Sequence, residues 1–301
     1  MTASIDRSDA SRVAREGYCA VAGARLYVRE IGNGPPVVAL HGGPDFNHNY
    51  LLPELDELSS DLRLIYYDQR GRGKSSQGVM PEDVDIDSEV DDLDRLRQHL
   101  GLDRLALLGH SWGCIVVLEF ASRRPERVSH LMLLNSAPAS HADFVGFREH
   151  RNSAHADTLA TLRRIAATPA YLSGDIEPEA EYYRAHFAST FRRHDQLEAL
   201  VGRLRSHFTA QDIVKARAIE GRLYAQTWQL PDYDLTSRLG EFRAPTLVMH
   251  GADDLIPLQC ARNLADAIAG ARLVVLEDCG HFTYLERPSE VRRTITDFMS
   301  R

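Results

Sequence analysis

At 301 residues, 44% of them hydrophobic, the chain can bury a substantial core as one large α/β domain or two small ones. A net charge of −8 argues against nucleic acid as a partner, because phosphate recognition requires a basic face. No apolar run approaches the ~20 residues of a membrane span, so no membrane partner is expected.

The four cysteines, Cys19, Cys114, Cys260 and Cys279, are scattered and form no C-x-x-C or Cys/His cluster. Free thiols in a reducing cytoplasm are therefore expected, with no metal and no cofactor. Met1 to Glu16 is polar and lacks the apolar stretch of a secretory leader. It reads as a loose arm or an added helix.

Tyr18–Val21 and Arg25–Ile31 flank Ala22-Gly23-Ala24 and predict a hairpin. Val37–Leu40 is a short, wholly apolar strand, suited to a sheet covered on both faces, and leads into His41-Gly42-Gly43-Pro44. Leucines at 51, 55 and 58 predict a helix over about 50–60. A strand at Arg63–Tyr67 ends in Asp68-Gln69-Arg70-Gly71-Arg72-Gly73-Lys74-Ser75. Ile86–Leu100 is an acidic amphipathic helix with Val90, Leu93, Leu96 and Leu100 on one stripe. Arg104–Leu108 is a buried strand, followed by Gly109-His110-Ser111-Trp112-Gly113 and a helix from Cys114. Val128–Leu134 is the next strand. From about 137 to 239 short strands vanish and helical, charged segments take over. Strand–helix alternation resumes at Pro245–His250, with a helix near Gln259–Ala267, a strand at Arg272–Leu276 and a last helix at Pro288–Met299.

Alternating β and α on either side of a helical block predicts a mostly parallel central sheet flanked by helices. Residues 1–136 and 240–301 would form the core domain, and 137–239 a helical cap inserted over the carboxyl edge of the sheet. That edge is where ligands bind in open parallel sheets.

Strand, G-x-S-x-G, helix is the context of a nucleophile elbow. The sharp turn lifts Ser111 clear of the sheet, at a helix N-terminus whose N–H groups favour negative charge. Bulky side chains two positions either side would collide with neighbouring backbone. The ends of the later strands supply the partners. Gly251-Ala252-Asp253-Asp254 comes after one, and Glu277-Asp278-Cys279-Gly280-His281 after the next. A serine hydroxyl needs a base, and His281 is the candidate. The base needs an acid to fix its tautomer, and Asp254 is the choice, with Asp253 its competitor one residue away. The N–H groups of Gly43 and Trp112 are the candidate oxyanion donors.

These stretches, with the Asp68–Ser75 run, resemble the proline iminopeptidase-like branch of the α/β-hydrolases. The resemblance implies the α/β-hydrolase fold, a helical cap over the site, the chain order Ser…Asp…His and an acid at G-x-x-D, which here is Asp254. It implies a cofactor-independent serine hydrolase acting on a small ester, lactone or short peptide. Two departures stand out. Asp45 replaces the last glycine of H-G-G-P-G, and the W-x-x-W-E cap pattern, whose acid holds a substrate's amino group, is not found. A carboxylesterase or lactonase acting on a natural-product ester such as a macrolide is the rival enzyme. A noncatalytic ligand receptor is the rival outside enzymes. The run to Ser75 is no phosphate loop, since Asp68 stands where the first glycine belongs; it reads as a structural turn. His41, His110 and His250 read as structural. The aromatics Tyr171, Tyr182, Tyr183, Phe187, Phe191, Tyr224 and Trp228 either line a pocket or fill the cap core.

Overall fold

The computed structural model describes residues 13–300. Eight strands form one sheet: β1 (Arg15–Val21), β2 (Ala24–Ile31), β3 (Pro36–Leu40), β4 (Arg63–Tyr67), β5 (Leu105–His110), β6 (Val128–Leu134), β7 (Thr246–Gly251) and β8 (Arg272–Leu276). Their order is β1-β2-β4-β3-β5-β6-β7-β8. β1 and β2 form the expected antiparallel hairpin, and β2 pairs antiparallel with β4. All other pairs are parallel. Residues 1–12 of the proposed arm lie outside the described residues; Arg15 and Glu16 already belong to β1.

Register decides where the site falls. Leu40 pairs with Gly109, His110 with Leu134, Leu134 with Met249 and Gly251 with Leu276. Five strands thus end almost level, and the loops after β3, β5, β6, β7 and β8 emerge along one edge. Alternation along each strand feeds two cores. Val38, Leu40 and Leu107 face one side; Val37, Ala39 and Leu108 face the other. Strands buried on both faces read as continuous apolar runs, as β3 and β5 do.

The helices are α1 (Ile86–His99), α2 (Trp112–Arg123), α3 (His141–Ala154), α4 (Ala156–Ala166), α5 (Pro169–Leu172), α6 (Ile176–Phe187), α7 (Leu197–Leu204), α8 (Ala210–Ala225), α9 (Leu258–Ala267), α10 (Thr283–Glu286) and α11 (Pro288–Met299). α1 starts where Asp85 accepts from the Ser88 N–H at 2.7 Å and the Ser88 hydroxyl accepts from the Asp85 N–H at 2.9 Å. Its Val90, Leu93 and Leu96 stripe packs with α2 on one core, while Val291, Ile295 and Phe298 of α11 pack on the other. The six helices α3 to α8 fall between β6 and β7.

One expectation needs correction. Residues 50–60 are not one α-helix but two 3₁₀ segments, His48–Leu51 and Glu54–Ser60. Pro53 interrupts them: it lacks an N–H, and Leu52 before it is forced extended, at φ −101° and ψ 153°. The leucines still point into the core.

The Asp68–Ser75 run is a turn held from within. Asp68 accepts from His48 Nδ1 at 2.6 Å and from the Lys74 N–H at 2.8 Å, and the Ser75 hydroxyl donates to the Asp68 carbonyl at 2.7 Å. Burial pushes the Asp68 carboxyl up, but the His48 hydrogen bond and the His48 and His41 imidazoles outweigh it, and the net shift is downward. Arg70 reaches α1, donating to Asp92 at 2.9 and 2.5 Å in a buried, bidentate pair. Removing one partner leaves an uncompensated buried charge. Asp92→Ala is therefore expected to lower the unfolding free energy by about 3–5 kcal/mol in urea denaturation, whereas Asp91→Ala, whose carboxylate pairs with Arg124 at the exposed surface, lowers it by less than about 1 kcal/mol.

Candidate active site

Ser111 occupies the turn between β5 and α2 with φ 53° and ψ −120°, a region L-residues avoid at a cost of order 1–3 kcal/mol. Its flanking glycines are sterically required. A Cβ on Gly109 would lie 2.7 Å from the Cys114 nitrogen, and one on Gly113 would lie 2.5 Å from the Leu40 carbonyl and 2.7 Å from that of His41. Gly42 presses on the serine itself, since its Cβ would meet Ser111 Cβ at 2.7 Å.

The structure brings together three of the residues selected from the sequence. His281 Nε2 lies 3.0 Å from Ser111 Oγ, and His281 Nδ1 lies 2.9 and 3.0 Å from the two Asp254 oxygens. The carboxylate fixes the tautomer: Nδ1 carries the proton and Nε2 faces the serine as acceptor. Burial pushes the Asp254 carboxyl up. The charges of His281 and His250, the hydrogen bond from His281 and the Ile256 N–H overcome this and hold it at about 2. Asp253 points elsewhere: its carboxylate pairs with Arg192 at 3.0 Å and is one-third exposed.

Asn135, at the end of β6 with φ 48°, is missed by sequence reasoning. Its amide donates to Asp254 at 2.8 Å and to the Gly280 carbonyl at 3.0 Å, while its oxygen accepts from the Thr283 hydroxyl at 2.7 Å. It ties the acid loop to the histidine loop. A polar residue directly after the β6 apolar run was the available signal.

His110 proves to be a connector. Its Nε2–H donates to the His281 carbonyl at 2.8 Å, so its Nδ1 accepts from Tyr50 Oη at 2.7 Å. Tyr50 Oη in turn accepts from the Gly42 N–H at 2.5 Å. Burial pushes the His110 imidazole down to about 3, so it stays neutral. This chain leaves Gly42 committed, while Gly43, at φ 51°, lines the cavity beside Ser111 and Trp112. His41 and His250 are buried and hydrogen-bonded to backbone.

A cavity of about 370 Å³ opens above Ser111. Of the seven aromatics left open between pocket and core, Tyr171, Tyr182, Tyr183, Phe187, Tyr224 and Trp228 line it, whereas Phe191 does not. Asp45, the departure from the glycine pattern, is buried on the cavity wall. It pairs with Arg205, just past α7, and accepts from Tyr183 Oη at 3.1 Å. Arg205 also pairs with Glu179 of α6 at 2.7 Å. The loop after β3 is thus bolted to the overlying helices.

Glu220 of α8 also escaped sequence reasoning. It lines the cavity, and Tyr224 Oη donates to it at 2.7 Å. No arginine or lysine pairs with it among the described residues. Burial, with the charge of Asp45 adding, pushes its carboxyl up to about 8 against the Tyr224 hydrogen bond and Arg205. Its signal was helical spacing: Glu220, Tyr224 and Trp228 recur every four residues. The four cysteines are buried and unpaired, and no cluster that could hold a metal is present among the described residues. No described helix is long and apolar enough to cross a membrane.

Residues 35–288 match the alpha/beta hydrolase fold family, and the chain belongs to it. Within that family it is proline iminopeptidase-like. The proline iminopeptidase of Lactobacillus helveticus (strain DPC 4571) is 31% identical over 297 residues, covering 91% of this chain and 94% of its own. Among solved structures, the proline iminopeptidase of Mycobacterium smegmatis matches with a TM-score of 0.72 at 24% identity, over 95% of this chain and 98% of its own. An esterase from Exiguobacterium antarcticum matches with a TM-score of 0.71 at 25% identity, over 94% and 98%. The protein is a hydrolase of the class that holds aminopeptidases and esterases.

Ser111→Ala is expected to lower kcat/KM by about 10³-fold or more. Asp254→Asn should cost about 10⁴-fold in kcat through the wrong tautomer. Asp253→Asn should change it less than about threefold, because its carboxylate faces Arg192. Steady-state rates on p-nitrophenyl acetate decide all three, and a larger loss at 253 than at 254 would reassign the acid.

Proposed function

We propose that the protein is a cofactor-independent serine hydrolase that removes the amino-terminal residue of short peptides or cleaves the corresponding amides and esters. Ser111 Oγ attacks the carbonyl while His281 Nε2 takes its proton. The N–H groups of Gly43 and Trp112 receive the oxyanion. His281 then gives the proton to the leaving group, and water activated by the same imidazole releases the acyl-enzyme. The division into a core of 1–136 and 240–301 and a cap of 137–239 belongs to this reading, with the cap supplying the substrate walls. Buried, unpaired thiols suit a reducing cytoplasm.

The observation that carries the aminopeptidase reading is Glu220. A carboxyl on the cavity wall with no basic partner, donated to only by Tyr224, is matched by a substrate ammonium. Its proton would leave as the amine arrives. An esterase or lactonase is the second reading, favoured by the aromatic walls of the cavity, which suit an uncharged acyl group. The discriminating experiment compares prolyl-p-nitroanilide with p-nitrophenyl acetate. Exclusive turnover of the ester would defeat the aminopeptidase reading. A serine-directed sulfonyl fluoride should label the peptide containing Ser111, and labelling elsewhere would defeat the nucleophile.

Glu220→Gln should reduce the ratio of kcat/KM for the prolyl amide to that for the ester by about 10- to 100-fold, the worth of a charge-assisted hydrogen bond. The same carboxyl sets a pH dependence of stability. Its folded value of about 8 lies above a carboxyl's unfolded ~4.3. Between those values the folded chain holds a proton that the unfolded chain has lost. The contribution is full below about pH 4.3 and is lost as pH rises through about 8. The melting temperature of Glu220→Gln should therefore gain on that of the unsubstituted protein from pH 5 to pH 9, as read by scanning calorimetry.

A further inference from the structure

Most cations inside the helical layer are matched by acids. Arg205 meets Asp45 and Glu179, and Arg217 meets Glu179. Arg151 of α3 is the exception among the cavity's half-buried groups. It lines the cavity, lies over the Phe147 ring at 5.4 Å, and has no carboxylate partner among the described residues. Beside it on the wall is His186 of α6, stacked on Tyr182 with ring centroids 6.1 Å apart. His186 Nδ1 is buried and has no hydrogen-bond partner. Burial, with the nearby charges of Arg151, His281 and His155, pushes this imidazole down to about 3, so it presents a neutral polar edge.

Arg151 and Glu220 come from different helices, α3 and α8, with Tyr182 and Tyr224 near both. A small recess joins Arg151 and His186 to Thr190 and Leu255. Leu255 follows Asp254, and the Thr190 carbonyl abuts Gly280, so this wall is the one beside the acid and the base. Glu220 lines the cavity beside its hydrogen-bond partner Tyr224, whose ring lies 5.9 Å from that of Trp112, on the oxyanion side. The cavity therefore carries one unmatched acid, Glu220, and on α3 the unmatched Arg151, with the more exposed Arg148 one turn before it. Leaving an arginine unpaired in a partly desolvated wall is costly unless a ligand supplies the anion, and a guanidinium fork suits a carboxylate.

We propose that Arg151, assisted by His186, is a subsite for a carboxylate carried by the leaving group. It rests on the reading of Ser111 and His281 above and extends the Glu220 assignment. A short peptide then lies across Ser111 with its amino end toward Glu220 and a carboxylate toward Arg151. Two residues span at most about 7 Å, which suits a cavity of about 370 Å³. The chemistry places the groups consistently. The Ser111 Oγ–carbonyl bond forms and the peptide C–N bond breaks. The leaving nitrogen takes its proton from His281, so the leaving residue lies on the His281 side. Water then cleaves the acyl-enzyme, releasing the amino-terminal residue and restoring Ser111.

The test compares prolyl-alanine, prolyl-alaninamide and prolyl-glutamic acid α-amide (side-chain carboxylate free) in the unsubstituted protein, R151M and R151K. Free prolyl-alanine should exceed its amide in kcat/KM by about tenfold or more, the scale of one charge-assisted contact. R151M should bring that ratio near one, and R151K should leave it intermediate, which serves as the readout if R151M does not fold. Preference for the glutamic α-amide over prolyl-alaninamide would assign the carboxylate to an acidic side chain of the second residue rather than a chain terminus. A second pair, 4-acetoxybenzoate and 4-acetoxybenzamide, places the same charge on an ester leaving group without any amino end. If the dipeptides are not cleaved but this ester pair shows the Arg151-dependent ratio, the Glu220 reading fails and the Arg151 subsite stands. Ratios near one in the unsubstituted protein, or ratios unmoved by both variants, overturn the subsite.

Discussion

The close approach of α2 to β3 is the constraint on which this site depends. Gly113 sits against the carbonyls of Leu40 and His41, and Gly109 against the first turn of α2, so the chain must reverse over one residue. That residue is Ser111, held at φ 53°. Any side chain at either glycine would push helix from strand and relax the turn. The strain is maintained because the surrounding core, with α2 buried from Trp112 to Ala121, over-determines the backbone. A hydroxyl aimed out of the sheet is the result.

Around that turn the polar groups form one connected set. From Gly42 the hydrogen bonds pass through Tyr50 and His110 to the His281 carbonyl. From Asp254 they pass through Asn135 to Gly280 and Thr283. Glu286 accepts from the N–H groups of Gly280 and Phe282, on both sides of His281, and from that of Arg192 in the overlying layer. The imidazole is thus fixed through its backbone as well as its ring. Such preorganisation is what electrostatic stabilisation of a developing oxyanion requires.

The helices above the sheet contribute charge rather than chemistry. Asp45, Glu179, Arg205 and Arg217 neutralise one another and hold the layer down. Glu220 and Arg151 are left without an opposite charge among the described residues, and they line the cavity. The substitution of Asp45 for glycine thereby gains a reason: its carboxylate anchors Arg205 instead of leaving the loop free.

The strands, the elbow and the Ser–Asp–His order were legible because each rests on local rules: apolar runs for buried strands, glycines for close backbone approach, turn residues at strand ends. The 50–60 segment misled because leucine spacing does not register the missing N–H of Pro53. Asn135, Glu220 and Arg151 were illegible for a different reason. Each is an ordinary polar residue whose importance lies in what faces it, and those partners lie far away in the chain: 119 residues separate Asn135 from Asp254. By itself the sequence determined the sheet, the turn at Ser111 and the candidate groups, since these follow from side-chain size and periodicity over a few residues. Only the tertiary structure decided that Asp254 rather than Asp253 meets His281, and which charges in the cavity go unmatched. Both depend on register and helix packing that bring distant residues within a few ångströms.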